Sequence, residues 1–305
     1  MRFSVTILGS GSALPTLKRN PTSHYVLCNN RHILIDCGEG TQFQLRKYNI
    51  RFQALQIILI SHLHGDHFFG LPGLISTMHL LGRDKGLTVI GPEGLEHVIR
   101  SQLEIGHSRL NFEISFIELP KNATQIVFED KLITIKTFPL NHRIQTQAYV
   151  IEEKEFDLNI RKDLVERHQI PLSVIHQLKQ RKDVTDSDGK FWKYKDFTMP
   201  PIKNLSYAFC SDTKYDEKIL ESIKGVTLLY HEATFIDVDQ GKAKLTFHST
   251  AKDAATIASK AGVKKLIMGH MSARYQNEKQ HVKEARDIFT NSFYAEDGML
   301  IDLEK

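Results

Sequence analysis

The segment HLHGDH at residues 62–67 sets three imidazoles and a carboxylate within six positions, directly after the apolar run LQIILIS at 55–61. Unpaired polar groups beside a core are costly, so such a cluster has no packing rationale of its own. Imidazole nitrogen and carboxylate oxygen do share one partner, a metal ion such as Zn2+ held at roughly 2.0–2.2 Å. The spacing therefore demands a fold that delivers the end of a buried strand to a metal site. An extended backbone would point His62 and His64 to one side, Gly65 would permit a sharp turn, and Asp66 and His67 would follow at a loop-to-helix junction.

Other apolar segments end the same way. FPLNH finishes on His142, AFCSD on Asp212 and LIMGH on His270. With His62, His64, Asp66 and His67 this gives seven candidate ligands, enough for two zinc ions sharing a carboxylate. Strand ends on a rigid scaffold can hold such groups to the tolerance a metal needs. His24, His32, His79, His97, His107, His168 and His176 fall in no comparable cluster and are expected to be structural or exposed.

The remaining pattern is strand-rich at both ends of the chain. RFSVTILGSGS, SHYVLCN and HILIDCG read as strands, EGTQFQLRKYNI and GLPGLISTMHLLG as helices, and LTVIGP followed by EGLEHVIRSQLEI as strand then helix. Residues 112–151 return to strands, and TAKDAATIASKAG reads as a helix ending at Gly262. Residues 152–202 carry dense charge of both signs in short amphipathic pieces and read as a projecting insertion into a single domain spanning residues 1–305.

Composition sets limits. With 41% hydrophobic and 25% charged residues the chain is globular, and no apolar run reaches the ~18 residues of a membrane span. The start lacks a long apolar segment, so a cytoplasmic location without a membrane partner is expected. Cys28, Cys37 and Cys210 lack CxxC spacing, which argues for buried reduced thiols and against a disulfide framework. A net charge of +4 permits a polyanionic partner without requiring one.

HxHxDH after an apolar strand, followed by a later His, Asp and His each at a strand end, resembles the metallo-β-lactamase superfamily. The resemblance implies an α+β fold, an αβ/βα sandwich of two facing mixed β-sheets flanked by helices, with the insertion as a flexible arm. GSGSALPTLKRNPTS, IDCGEGTQFQL, SHLHGDHFFGLPGL, SDT, HEATF, FHST and GHMSARY together are similar to the ribonuclease Z family, metal-dependent endoribonucleases that remove the 3′ trailer of precursor tRNA and leave a 3′-hydroxyl. Carried over position by position, the family pattern implies one zinc on His62, His64 and His142, another on Asp66, His67 and His270, and Asp212 bridging. Zn2+ is the implied cofactor, two per subunit, with Mn2+ also compatible with these ligands. Asp66 would orient or deprotonate the attacking water, His248 would protonate the departing oxygen with Glu232 as its partner, and Arg274 would grip the phosphate.

The family's loop reads P-x-K-x-R-N, whereas here PTLKRN places Leu17 at the lysine position with Lys18 beside it. Lys18, Arg19 and Asn20 are the expected RNA contacts there, and the family associates this loop with rejecting tRNA that already carries CCA. The insertion lacks the glycines of the family's tRNA-clamping arm, leaving Lys179, Arg181 and Lys182 as candidate phosphate contacts. The resemblance further implies precursor tRNA as partner and a homodimer. Two other readings stay open at this point, a hydrolase of a small phosphodiester and a non-catalytic RNA-binding subunit.

Overall fold

The computed structural model describes residues 2–201 and 204–304. The chain divides into two compact units, Met1–Glu152 with Leu205–Glu304, and Glu153–Asn204.

In the larger unit, the first sheet begins with β1 (Phe3–Gly9), β2 (Ser23–Cys28), β3 (Arg31–Ile35), β4 (Ile57–Leu59), β5 (Leu87–Pro92) and β6 (Ile114–Leu119). Between these strands lie α1 (Thr41–Lys47), α2 (Gly65–Phe68), α3 (Leu71–Leu80) and α4 (Leu95–Ile105). The second sheet opens with β7 (Gln125–Glu129), β8 (Ile133–Pro139) and β9 (Gln147–Glu153). The smaller unit holds α5 (Lys162–His168), α6 (Leu172–Lys179), a hairpin of β10 (Val184–Thr185) and β11 (Phe191–Trp192), and α7 (Tyr194–Phe197), packed around Ile170, Val174, Leu178 and Trp192. The second sheet then resumes with β12 (Ser206–Cys210), β13 (Leu228–Glu232), α8 (Gln240–Thr246), α9 (Ala251–Ala261), β14 (Lys265–Gly269), α10 (Lys279–Arg286) and β15 (Ser292–Tyr294), and β16 (Leu300–Asp302) returns to pair with β1.

Strand order is β16-β1-β2-β3-β4-β5-β6 in one sheet and β15-β14-β13-β12-β9-β8-β7 in the other. β3 to β6 run parallel, as do β12 to β15. Side chains alternate faces along each strand, and the alternation assembles the layers. Tyr207, Phe209, Leu228, Tyr230 and Ile267 point between the sheets to meet Val5, Ile7, Ile33, Ile35 and Leu59, while Ala208, Cys210, Leu229, Leu266 and Met268 point outward onto α9 residues such as Ala254 and Ala258. The other outer face buries Leu45 of α1, Leu74 and Met78 of α3 and Ile99 of α4. The result is the expected αβ/βα sandwich.

Helix α9 ends as its sequence implies. Thr250 and Asp253 form a reciprocal capping box, and Gly262 closes the helix at φ 64°, a left-handed conformation that glycine adopts without steric cost. His24 is fully buried between the sheets, where Nδ1 lies 2.6 Å from the Tyr207 hydroxyl. All three cysteines are buried. Among the described residues no helix is long and apolar enough to cross a membrane.

Candidate metal centre

Parallel strands all present their carboxyl ends to one edge of a sheet, where ligand sites of open α/β sheets form. β4, β12, β13 and β14 lead here directly into His62, Asp212, Glu232 and His270, and β8 leads into His142. His64 is extended, and His62 Nε2 lies 3.0 Å from His64 Nδ1, so the two imidazoles do share a side. Gly65 departs from expectation. It opens α2 without a left-handed φ, and a Cβ there would crowd the Phe69 ring.

Asp212 sits at the middle of the group. Its Oδ2 lies 3.6 Å from His62 Nε2 and 3.8 Å from His142 Nε2. Its Oδ1 lies 3.4 Å from His67 Nε2 and 3.2 Å from His270 Nε2. Asp66 Oδ2 completes the second set at 3.3 Å from His67 and 3.4 Å from His270, and His64 Nδ1 completes the first at 3.3 Å from His142 Nε2. Within each set, His62, His64, His142 and Asp212 or Asp66, His67 and His270, the ligand atoms lie within 4.8 Å of one another.

A metal needs the lone pair of a neutral imidazole, which an outer hydrogen bond to the other ring nitrogen secures. That condition is met four times. His142 Nδ1 donates to the Phe247 carbonyl at 2.9 Å. Ser61 Oγ gives its hydrogen to Asp36 and so accepts from His62 Nδ1 at 3.0 Å. Thr234 Oγ1 gives its hydrogen to Glu232 and accepts from His270 Nδ1 at 2.8 Å. His67 Nδ1 lies 2.6 Å from Asp36 Oδ2, while its Nε2 is buried without a hydrogen bond. Each imidazole thus turns Nε2 toward Asp212, and the donor set fits divalent cations. Electrostatics agree. Burial lowers the proton affinity of His62, His64 and His142, whereas for His67 the carboxylates of Asp66, Asp212 and Asp36 outweigh burial and raise it well above the ordinary value. A site that draws a proton against desolvation draws a cation for the same reason.

Two ligand-region residues, Asp36 (φ 55°) and His270 (φ 63°), hold the left-handed conformation that side chains other than glycine seldom adopt. Such strain persists only where the surroundings over-determine it. Gly269 allows the approach, since a Cβ there would meet the Tyr230 hydroxyl at 2.4 Å.

Beside the ligands, Glu232 is fully buried and saturated. Oε1 accepts from Thr213 N at 3.0 Å and faces His248 Nδ1 at 2.8 Å, while Oε2 accepts from Thr234 N at 3.0 Å and Thr234 Oγ1 at 2.7 Å. Burial opposes charge on His248, but the Glu232 carboxylate outweighs it and raises the imidazole to about 9. An open cavity of about 450 Å³ is lined by His64, Asp66, His142, Asp212, His248 and His270, with Ser12, Ala13 and Phe235 among its walls. Arg274 is half-exposed, with Nε donating to Ser272 Oγ at 3.1 Å and its guanidinium 5.0 Å from the Phe235 ring centre.

The PTLKRN segment is used differently from expectation. Arg19 is buried, donating to Ser10 Oγ at 2.9 Å and to the Ala295 carbonyl and pairing with Glu278 at 3.1 Å. Asn20 Nδ2 donates to Asp297 at 2.8 Å. Neither side chain is turned outward for an RNA contact, because both are committed to internal partners; Lys18 alone of the three is exposed. In the smaller unit, Lys182 is exposed, Lys179 ends α6, and Arg181 pairs with Glu155 at 3.1 Å.

Sequence reasoning assigned no role to Asp36, Thr234 or Asp297. Asp36 follows a strand just as Asp212 does, so the strand-end signal was present. Replacing it as Asp36→Asn should leave the fold intact and weaken metal affinity by roughly 10–100-fold, the ordinary cost of losing an outer carboxylate. Chelator competition followed by thermal denaturation checks this, and unchanged affinity would remove Asp36 from the site.

Residues 3–171 match the family model described as Anti-Pycsar protein Apyc1, a span that ends before Asp212, Glu232, His248 and His270. Over nearly its full length the chain is 43% identical to a ribonuclease Z of Phocaeicola vulgatus, covering 99% of this chain and 98% of that protein. It is 42% identical to a ribonuclease Z of Parabacteroides distasonis, with 99% of both chains covered. Among solved structures it is similar to human tRNase Z, short form (ELAC1), with a TM-score of 0.73, 27% identity and coverage of 99% of this chain and 100% of that one. The metallo-β-lactamase fold protein YhfI from Bacillus subtilis, at TM-score 0.69, 16% identity and coverage of 99% of this chain and 100% of that one, shares the fold.

Proposed function

Given that the chain belongs to the ribonuclease Z family, we infer that it is a metal-dependent endoribonuclease that removes the 3′ trailer of precursor tRNA and leaves a 3′-hydroxyl on the tRNA. The observation that best supports a two-cation centre is Asp212, whose two oxygens each face a separate set of ligand atoms. His62, His64 and His142 would hold one ion, Asp66, His67 and His270 the other, and Asp212 would bridge. Zn2+ suits this donor set, and Mn2+ is compatible with it. Bound there, the two ions would activate a water and stabilise charge on the attacking and departing oxygens.

The chain's own groups supply the rest. Asp66 lines the cavity, so it orients the attacking water or takes its proton. Glu232 holds His248 through Nδ1, which leaves Nε2 as the ring nitrogen that can reach substrate. His248 carries the proton needed by the departing 3′ oxygen, and Glu232 keeps it there until transfer. Arg274, set over the cavity-lining Phe235, and Lys18 contact phosphate. Lys179, Arg181 and Lys182 form part of a tRNA-binding surface on the smaller unit, which we assign as the arm. The working form is a cytoplasmic homodimer.

The test incubates purified protein with a precursor tRNA bearing a 3′ trailer, with and without chelator, and maps the new 3′ end. Chelator-sensitive cleavage at one position, next to the discriminator nucleotide or after an encoded CCA, is the expected result. Absence of cleavage by metal-loaded protein would overturn the assignment and favour a small phosphodiester as substrate.

A further inference from the structure

Two buried carboxylates beside the ligand sets, Asp36 and Glu232, are wired in the same way. Asp36 Oδ2 lies 2.6 Å from His67 Nδ1 and accepts from Ser61 Oγ at 2.8 Å, and that hydroxyl accepts from His62 Nδ1. Glu232 Oε1 lies 2.8 Å from His248 Nδ1, its Oε2 accepts from Thr234 Oγ1 at 2.7 Å, and that hydroxyl accepts from His270 Nδ1. Each carboxylate thus orients one imidazole directly and a second through a hydroxyl, always by way of Nδ1. Three of the four rings, His62, His67 and His270, belong to the two ligand sets. The fourth, His248, carries the same outer arrangement, the one that fixes the tautomer and raises the basicity of a metal-binding imidazole.

Geometry supplies the rest of a site. The ligand atoms of Asp212, His248 and His270 lie within 4.8 Å of one another, as they do in each of the two main sets. The His248 ring stands 5.3 Å from His270 and 5.2 Å from His142, centre to centre. Exposure orders the rings along the cavity, because the His248 side chain is 15% exposed and that of His270 4%, whereas that of His67 is 0%. A cation arriving through the cavity meets His248 and His270 before His67.

We propose that Asp212, His248 and His270 form an outer seat for a divalent cation of the Zn2+ type, overlapping the inner seat of Asp66, His67 and His270, and that the second ion is captured there before it moves inward. The proposal rests on the two-cation reading above. Imidazole and carboxylate donors suit such an ion. His270 has one ring nitrogen free, so the two seats exclude each other and the total stays at two ions. In the outer seat His248 bonds the cation through Nε2 and gives the proton held there to water. A chain in that state lacks its proton donor, which makes the seat a loading station and not a working position.

The experiment counts ions in purified full-length chains after loading with Zn2+ and removal of the excess, with circular dichroism to confirm the fold. Asp66→Ala/His67→Ala leaves the second ion only Asp212 and His270 of its inner ligands. That variant should nevertheless retain two ions, and adding His248→Ala should weaken the second by roughly 100-fold or more in chelator competition, since even an outer partner is worth about 10–100-fold. One ion in the double variant, or two held equally well in the triple, would overturn the proposal. Uptake by the metal-free protein tests it independently, and decides alone should the double variant not fold. Followed by the visible absorption of Co2+, His248→Ala should take up the second ion several-fold more slowly than wild type yet reach the same final content. Equal rates would overturn capture at His248. A wild type that holds fewer than two ions would instead overturn the two-cation reading.

Discussion

Asp212→Ala should yield a folded protein that binds at most one divalent ion and has lost RNA cleavage by on the order of 10³-fold or more, because a shared ligand ties both ions to the reacting phosphate. The geometry sets this expectation. Asp212 is 2% exposed and, among the described residues, the only one within 4 Å of His62, His67, His142 and His270 alike through its carboxylate oxygens. Burial opposes its ionisation, and the surrounding histidines, His270 and His67 foremost, overcome this and hold it well below the usual carboxylate range. Elemental analysis of the purified variant, with circular dichroism to confirm the fold, separates a lost ligand from a lost structure. A variant that retains both ions and cuts normally would show that the two ligand sets work without a bridge.

The part of this centre legible in the sequence is the part written in local spacing. Residues 62–67 announced themselves because four ligand types in six positions have no packing explanation. His142, Asp212 and His270 were visible through a weaker rule, that a ligand type follows an apolar strand, and the parallel strands of the two sheets explain why it applies: their carboxyl ends converge. Strand period and the Gly262 cap likewise gave most elements, and dense charge led to residues 152–202 being read as an insertion, while the smaller unit runs Glu153–Asn204. The sandwich arrangement itself came with the family resemblance, since no periodicity says which strands face one another.

Long-range polar partnerships were not legible. Asp36 meets His67 from 31 residues away, Thr234 meets His270 from 36, and Asp297 meets Asn20 from 277. For the same reason Arg19 and Asn20 were expected as RNA contacts from the family's loop pattern, which gives no sign that Glu278, Ala295 and Asp297 wait inside. Charge in a loop sequence reports what must be neutralised, and the fold decides whether protein or ligand does so.

His248 offers the sharpest test of chemistry as distinct from metal binding. His248→Ala should retain both ions yet lose on the order of 10²–10⁴-fold in kcat, the usual contribution of a positioned general acid. Its partner determines the pH dependence. A proton donor must be protonated, so the rate falls as pH rises through the pKa of the imidazole, and Glu232 raises that pKa from 6.5 to about 9. Glu232→Gln removes the charge while leaving an amide oxygen to accept from Thr213 N, Thr234 N or His248. Its expected signature is therefore an alkaline limb of the kcat profile displaced to lower pH, with the rate on the acid side of the limb largely kept. A merely structural Glu232 would lower the whole profile without moving the limb. Should His248→Ala lower kcat little while Asp212→Ala abolishes it, protonation of the departing oxygen would fall to solvent, and the Glu232–His248 pair would be a brace for the His142 and His270 rings beside it.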